Sequence, residues 1–403
     1  MLPAGNGSRR TQAQTRWHKT CDRGALGGRL AHSFRSLRED AALQLDEGAC
    51  LPLRSKFGQC SACAGACPAG VLRASPASVE LSEGCLNCGR CAAACPTEAL
   101  ALEGYGIAAP SHPESGPLRV ECWKVMRSRT GSDAVRIPCL GGLSTGRILE
   151  LWRARGEAGL ELVDRGWCGA CSAGGGVSHP AQRALDAARL WLEAVGIERE
   201  RLPRLVSRPL PEREMPKEIP PPETERPVSR RQFLRAIGAP VPVGGPGAPA
   251  FPAATRHESA ERRRVLNALD AIAAGRGTTL PDELFPRVSN NGTCADHRIC
   301  SAICPTGALA VRAADGQAAL EFDVESCIAC GACERACPEH ALSLDAHGGQ
   351  RGPRIVALHR QQRCASCGEA YSAKDVDDGL CPSCRKTRKF LRSGAALWRA
   401  ARQ

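Results

Sequence analysis

Cys85-Leu-Asn-Cys88-Gly-Arg-Cys91-Ala-Ala-Ala-Cys95-Pro96 sets four thiols at the spacing C-x2-C-x2-C-x3-C-P. A second such run is Cys327-Ile-Ala-Cys330-Gly-Ala-Cys333-Glu-Arg-Ala-Cys337-Pro338. The chemistry this spacing serves is iron–sulfur ligation. Three thiolates at intervals of three, on a loop with small residues between them, can wrap three irons of one cubane. The fourth lies too far along to close the same cluster and points to a neighbouring one, and the proline ends the local turn.

Each full run follows a partial one. Cys60-Ser-Ala-Cys63-Ala-Gly-Ala-Cys67-Pro68 supplies the second, third and fourth positions, and the first would fall at Phe57, which cannot ligate. Cys50 is the nearest substitute. In Cys294-Ala-Asp-His297-Arg-Ile-Cys300-Ser-Ala-Ile-Cys304-Pro305 the second position is a histidine. Imidazole in place of thiolate removes negative charge and raises the potential of a cluster. If His297 does not bind, the expected cluster there is 3Fe–4S.

The segment from Cys50 to Cys95 resembles two-cluster bacterial ferredoxins over about 55 residues, and the segment around Cys294–Cys337 follows the same register. The resemblance implies crossed ligation of up to four 4Fe–4S clusters. Cys60, Cys63 and Cys95 with Cys50 would hold one, and Cys85, Cys88 and Cys91 with Cys67 the next. Cys294, His297, Cys300 and Cys337 would hold a third, and Cys327, Cys330 and Cys333 with Cys304 the fourth. Without Cys50, the first becomes a three-cysteine site, holding 3Fe–4S or a cubane with a non-protein ligand.

Two further groups complete the cysteine inventory. Ala134–Pro138 reads as a buried strand ending at Cys139, Arg147–Arg155 as a helix, and Leu160–Asp164 as a second strand ahead of Trp167-Cys168-Gly169-Ala170-Cys171. Open α/β sheets place ligands at the carboxyl ends of their strands. Cys122, Cys139, Cys168 and Cys171 can therefore converge on one edge. Through Val135-Arg-Ile-Pro-Cys139-Leu-Gly and the later cysteine pair, about 55 residues are similar to the methyl-viologen-reducing hydrogenase delta-subunit family. That implies a 2Fe–2S centre passing electrons between partners. The lone Cys122 and the Cys-Gly-Ala-Cys spacing depart from the family pattern. Cys364-Ala-Ser-Cys367 and Cys381-Pro-Ser-Cys384 are two knuckles suited to tetrahedral four-thiolate zinc, with a rubredoxin-like iron site as the alternative.

The elements that must position these thiols give a multidomain α+β chain. It comprises two ferredoxin-like 4Fe–4S lobes, a small α/β cysteine module between them and a C-terminal zinc ribbon. The expected order is a polar arm over 1–46 with a short helix near Leu37–Leu45, the first lobe over 47–106 and the α/β module over 117–197. The module includes a covering helix at His179–Val195. A Pro-rich linker over 198–256, a helix over 257–280, the second lobe over 281–346, the ribbon over 358–390 and a tail over 391–403 follow. With 24 Cys, 42 Gly and 29 Pro in 403 residues, and only 4% aromatic residues, one large core is excluded, and metal centres must staple small lobes. A secreted disulfide scaffold is disfavoured by the short spacings and the lack of a signal-peptide core in residues 1–46.

Ser229-Arg230-Arg231-Gln232-Phe233-Leu234-Arg235 resembles a twin-arginine export motif, but it is far from the N-terminus. The uncharged residues 236–255 hold five Pro and four Gly, which rules out a membrane-spanning helix. The expected location is cytoplasmic. The net charge of +12 suits nucleic acid or an acidic redox partner, yet cluster thiolates would offset it and few aromatics accompany it, so no nucleic acid is expected. No radical-SAM triplet, flavin or nicotinamide fingerprint is present. The function expected is one-electron relay between redox partners, with the chain serving a catalytic subunit such as a molybdenum oxidoreductase or hydrogenase. The rivals are a zinc-dependent interaction or nucleic-acid protein, and a dithiol oxidoreductase using Cys168 and Cys171. Cys21 alone is left without a site.

Overall fold

The computed structural model describes residues 43–75, 78–102, 116–131, 134–174, 178–215, 256–372 and 378–400; the side chains of Glu157 and of residues 392–400 are not described. Cys21, the twin-arginine-like motif and residues 236–255 lie outside the described residues. Two compact units divide after Pro281.

The first unit begins with β1 (Leu43–Leu45), which pairs antiparallel with β4 (Leu100–Leu102). The expected helix near Leu37–Leu45 is therefore a strand at its described end. The lobe starts earlier than residue 47, because Leu43 buries its side chain against Leu100 and Leu102. β2 (Leu72–Ser75) and β3 (Ser78–Leu81) form a second antiparallel pair. Three one-turn helices join the two pairs, α1 (Leu51–Arg54) and α2 (Ala62–Ala66) between β1 and β2, and α3 (Arg90–Ala94) between β3 and β4. Leu43, Leu72, Val79 and Leu100 form a core only a few side chains deep, and cysteines complete it.

The α/β module follows in the same unit. β5 (Leu118–Cys122), β6 (Val135–Ile137), β7 (Leu160–Asp164) and β8 (Arg204–Ser207) make a parallel sheet in the order β6-β5-β7-β8. β7 is buried along nearly its whole length, as expected of a parallel strand covered on both faces. α4 (Thr145–Arg155) starts at Ser144, whose hydroxyl accepts from the Arg147 N–H. α5 (Gln182–Ala194) buries Leu185, Ala188 and Leu192. The module does not end at residue 197. Trp152 Nε1 donates to Arg201 O at 2.8 Å and Trp167 Nε1 to Leu210 O at 3.0 Å, so the start of the supposed linker is held as structure to residue 215.

α6 (Ala260–Arg276) packs on α4 rather than standing alone. Glu261 accepts from Ser144 Oγ and from the Gly146 N–H, both at 2.7 Å. Ser259 Oγ donates to Pro96 O at 2.7 Å, and Arg264 pairs with Glu98, so the helix ties the module to the first lobe.

The second unit repeats the strand and helix arrangement of the first lobe. β9 (Arg287–Asn290) pairs with β12 (Leu342–Asp345), and β10 (Leu309–Ala314) with β11 (Gln317–Asp323). α7 (Ile299–Ile303) and α8 (Ala332–Arg335) take the places of α2 and α3. β13 (Pro353–Arg363) then pairs with β11 on one side and with β14 (Ala370–Ser372) on the other. The four C-terminal cysteines are therefore not carried on a detached ribbon, because their first strand is a strand of the lobe. α9 (Pro382–Ala400) continues as helix through most of the expected tail. No helix among the described residues is long and apolar enough to cross a membrane.

One ion pair fixes the ends of the central sheet. Arg165, just beyond β7, donates twice at 2.9 Å to Glu121, which is 1% exposed and precedes Cys122 on β5. Removing Arg165 strands a buried carboxylate, so Arg165→Ala is expected to cost about 3–5 kcal/mol. Urea unfolding of the full chain checks this; a loss under about 1 kcal/mol would mean that the pair behaves as a surface bridge.

Candidate metal-binding sites

The cysteine loops share a backbone signature. In the full runs the residue before the second Cys and the residue after it both have positive φ: Asn87 (49°) and Gly89 (74°), then Ala329 (51°) and Gly331 (69°). This left-handed, ligand, left-handed path turns successive thiols inward. At the partial run of the second unit the same path occurs at Asp296 (53°) and Arg298 (60°). His297 thus occupies the backbone position of Cys88 and Cys330. A non-glycine residue held left-handed costs roughly 1 kcal/mol. Here Asp296 offsets it by pairing with Arg298 at 3.0 Å, and it also accepts from Gln361 Nε2 and Ser372 Oγ on the neighbouring strands.

Four partly open cavities of similar size are lined by these thiols. Cys50, Cys60, Cys63 and Cys95 line one, and Cys67, Cys85, Cys88 and Cys91 the second. Cys294, Cys300, Cys337 and His297 line the third, and Cys304, Cys327, Cys330 and Cys333 the fourth. In each unit the last Cys of one run faces the cavity of the other. Cys50 reaches its cavity from the N-terminal end of α1. Burial pushes the Cys50 thiol up to about 11, with Cys95, Cys63 and Cys60 adding to the shift.

The first, second and fourth linings are otherwise apolar but for Thr97, Asn87 and Thr306, whereas the third also carries Asp296, Arg298, Glu339 and His359. The Ala329 N–H points to Cys327 Sγ at 3.4 Å and the Ala341 N–H to Cys337 Sγ at 3.3 Å. Such donors favour thiolate over thiol. The donor set therefore fits a cationic metal–sulfur core. His297 Nε2 is 2.9 Å from Glu339 Oε1, in the loop just past Cys337.

Cys122, Cys139, Cys168 and Cys171 gather beyond the carboxyl ends of β5, β6 and β7. Cys122 is pushed up to about 11 by burial, with Cys171 contributing. Cys139 is raised by burial first, then by Cys122, and by Cys88 and Cys168. Cys168 and Cys171 flank a single 3-10 turn (Cys168–Ala170), not a helix start. Burial and the nearby Asp164 push Cys168 up to about 12. A thiol protonated at neutral pH on no helix N-terminus is a poor dithiol nucleophile. Gly174 closes the loop, where a Cβ would stand 1.8 Å from Cys168 O.

Three further residues join this group. Lys124 Nζ donates to Cys171 Sγ at 3.2 Å. His179 Nε2 lies 3.4 Å from Cys168 Sγ, and Asp164, Cys168 and His179 bring potential ligand atoms within 4.8 Å of one another. The Ala181 N–H donates to His179 Nδ1 at 3.3 Å, which leaves the ring proton on Nε2, facing the sulfur. His179 is thus a donor to Cys168. None of the three sits in a ligand-spaced motif, so only the fold exposes them.

The C-terminal group differs in kind. Cys364, Cys367, Cys381 and Cys384 place their sulfurs within 4.8 Å of one another, with Cys367 and Cys381 at 3.8 Å. Tetrahedral coordination at 2.3 Å demands a sulfur–sulfur distance of about 3.8 Å. The group is therefore spaced for one ion, with no room for a multi-iron core. Backbone N–H groups, first that of Cys381, hold Cys364 below the ordinary thiol range.

Residues 326–373 match the family model described as a 4Fe–4S dicluster domain. The match takes in Cys327, Cys330, Cys333, Cys337, Cys364 and Cys367. Geometry divides these thiols among three of the sites above. No curated protein matches the chain.

Proposed function

We propose that this chain is an iron–sulfur electron carrier that relays single electrons between redox partners as a subunit of a larger oxidoreductase. The observation that carries this is the crossed lining of the cavities. A set of four thiols drawn from two loops, repeated with the same backbone path in both units, suits cubane ligation and no acid–base or nucleophilic chemistry. Similarity of residues 326–373 to a dicluster domain supports the same reading.

The assignment follows the cavities: Cys50, Cys60, Cys63 and Cys95; Cys67, Cys85, Cys88 and Cys91; Cys304, Cys327, Cys330 and Cys333; and Cys294, Cys300 and Cys337 with His297. The two lobes are thus each of the two-cluster ferredoxin type. Imidazole ligation through Nδ1 is supported by the Glu339 contact at Nε2, since metal-bound histidines hand their other ring N–H to a carboxylate. Cys122, Cys139, Cys168 and Cys171 hold a 2Fe–2S centre, as similarity to the hydrogenase delta-subunit family implies. Lys124 and His179 donate to its sulfurs and stabilise the extra negative charge of the reduced state. Cys364, Cys367, Cys381 and Cys384 hold structural zinc. The partner class that fits is a molybdenum- or hydrogenase-type catalytic subunit in the cytoplasm. A protein whose cysteines all hold zinc is disfavoured, because the cavity thiols are not at single-ion spacing.

Anaerobic purification with metal and sulfide analysis tests the central claim. Roughly 14–18 iron atoms with matching labile sulfide, and about one zinc, are expected per chain. A colourless preparation with several zinc ions and no sulfide overturns it. His297→Cys should lower one cluster potential and remove nitrogen hyperfine coupling from its pulsed EPR spectrum. If His297→Ala leaves both spectrum and potential unchanged, His297 is not a ligand. Lys124→Met should lower the potential of the 2Fe–2S centre alone, read by EPR-monitored redox titration; an unshifted midpoint would remove Lys124 from that role.

A further inference from the structure

Cys88 and Cys139 line different sites, yet their loops touch. Gly142, at the end of the turn that follows Cys139, packs on the Cys88 loop so closely that a Cβ would stand 2.9 Å from Cys88 O and 3.6 Å from the Gly89 carbonyl carbon. The neighbouring Gly141 is as constrained, where a Cβ would lie 3.1 Å from Arg90 Cγ and 2.8 Å from Pro180 Cβ. Arg90 closes the contact from the other side. Its Nη1 donates to Ala173 O at 3.1 Å and to Gly174 O at 2.9 Å, in the loop just beyond Cys171. Cys88 and Cys139 are both buried.

We infer that the central four-cysteine centre takes its electron from the Cys67/Cys85/Cys88/Cys91 centre, across the contact between Cys88 and the Cys139–Gly142 turn. This rests on the functional reading above and adds an order of centres to it. The Cys50/Cys60/Cys63/Cys95 centre sits behind the donor. The two share loops, since Cys67 of the Cys60 run lines the donor cavity and Cys95 of the donor's run lines the other, whereas the Gly142 turn meets the Cys88 loop. The direction follows from the side-chain donors of the central site: Lys124 on Cys171 and His179 on Cys168 favour the reduced state there. With both sets of cysteines holding their clusters, the Cys88 loop and the Cys139–Gly142 turn would bring the two centres together for transfer of one electron from the reduced ferredoxin-type centre to the oxidised central one. No bond forms or breaks and no proton moves. A low-potential one-electron donor, dithionite or a reduced viologen, recharges the first centre. Gly142 and Arg90 are positioning residues, and neither supplies a ligand.

The test uses the full anaerobic chain and two variants, Gly142→Val, which wedges the contact open, and Arg90→Ala, which releases the clamp without adding bulk. Iron content is measured first. Reduction of the central centre is then followed by stopped flow, and its EPR relaxation is read in the fully reduced protein. In the parent the central signal should relax faster because a reduced cubane lies beside it. In iron-replete variants that enhancement should be lost and reduction slowed several-fold. If Gly142→Val fails to fold, Arg90→Ala carries the comparison. A magnetically isolated central signal in the parent, or parental reduction rates in iron-replete Arg90→Ala, overturns the inference while leaving the electron-carrier reading standing. An iron-free parent protein defeats both.

Discussion

Desolvation of sulfur is the constraint on which the rest of the structure depends. Cys91 and Cys333, at equivalent positions on α3 and α8, are each pushed up to about 12 by burial and by neighbouring thiols. Cys50 and Cys300 are raised to about 11. Packed together and away from water, these groups cannot ionise unless a cation compensates them. The fold brings them together nonetheless, and the surrounding apolar layer is thin: Leu43, Leu72, Val79 and Leu100 in the first lobe, with cysteines filling the remainder. A small lobe that spends its interior positions on thiols requires metal–thiolate bonds in place of apolar burial. Loading therefore releases protons, and it weakens as acid competes for the same sulfurs.

The backbone serves the same end. Left-handed residues on either side of the second ligand recur in three of the four loops, at Asn87 and Gly89, Asp296 and Arg298, and Ala329 and Gly331. The Cys60 loop lacks this path and takes its remaining thiol from Cys50, ahead of α1. Conservation of the path at Asp296–Arg298, where neither flanking residue is glycine, gives His297 its place among the cavity-lining residues. His297 is itself exposed, and its backbone is held by the Asp296 carboxylate, which is anchored to β13 and β14.

What was legible in the sequence was local. Thiols three residues apart must share a loop, so the runs at Cys85 and Cys327 could be read directly, as could the α4 and α5 periodicities. What escaped was non-local or weakly patterned. β1 is three residues long and its partner lies more than fifty residues on. β13 is mostly exposed, with little alternation to betray a strand, and only its pairing with both β11 and β14 reveals that lobe and knuckles share a sheet. Residues 199–215 look like linker because their anchors, Trp152 and Trp167, belong to other elements. Lys124 and His179 carry no motif, and they acquire a role because β5 and the loop ahead of α5 end beside the same sulfurs.

Sulfur–sulfur spacing separates two uses of one residue type. Around Cys364 the thiols all lie within 4.8 Å of one another, and Cys367 and Cys381 stand at the 3.8 Å that a single tetrahedral ion imposes. No set of cavity thiols comes so close together among the described residues, although each set lines one cavity. The compact site is spaced for a single ion, with its cysteines following β13 and leading into α9. The wider sites leave room for a core of several metals, over which an added electron can spread with little rearrangement of the protein. Closely packed loops such as those of Cys88 and Gly142 then matter more than any single side chain, because a core that does not move its ligands depends on its neighbours for how fast charge arrives.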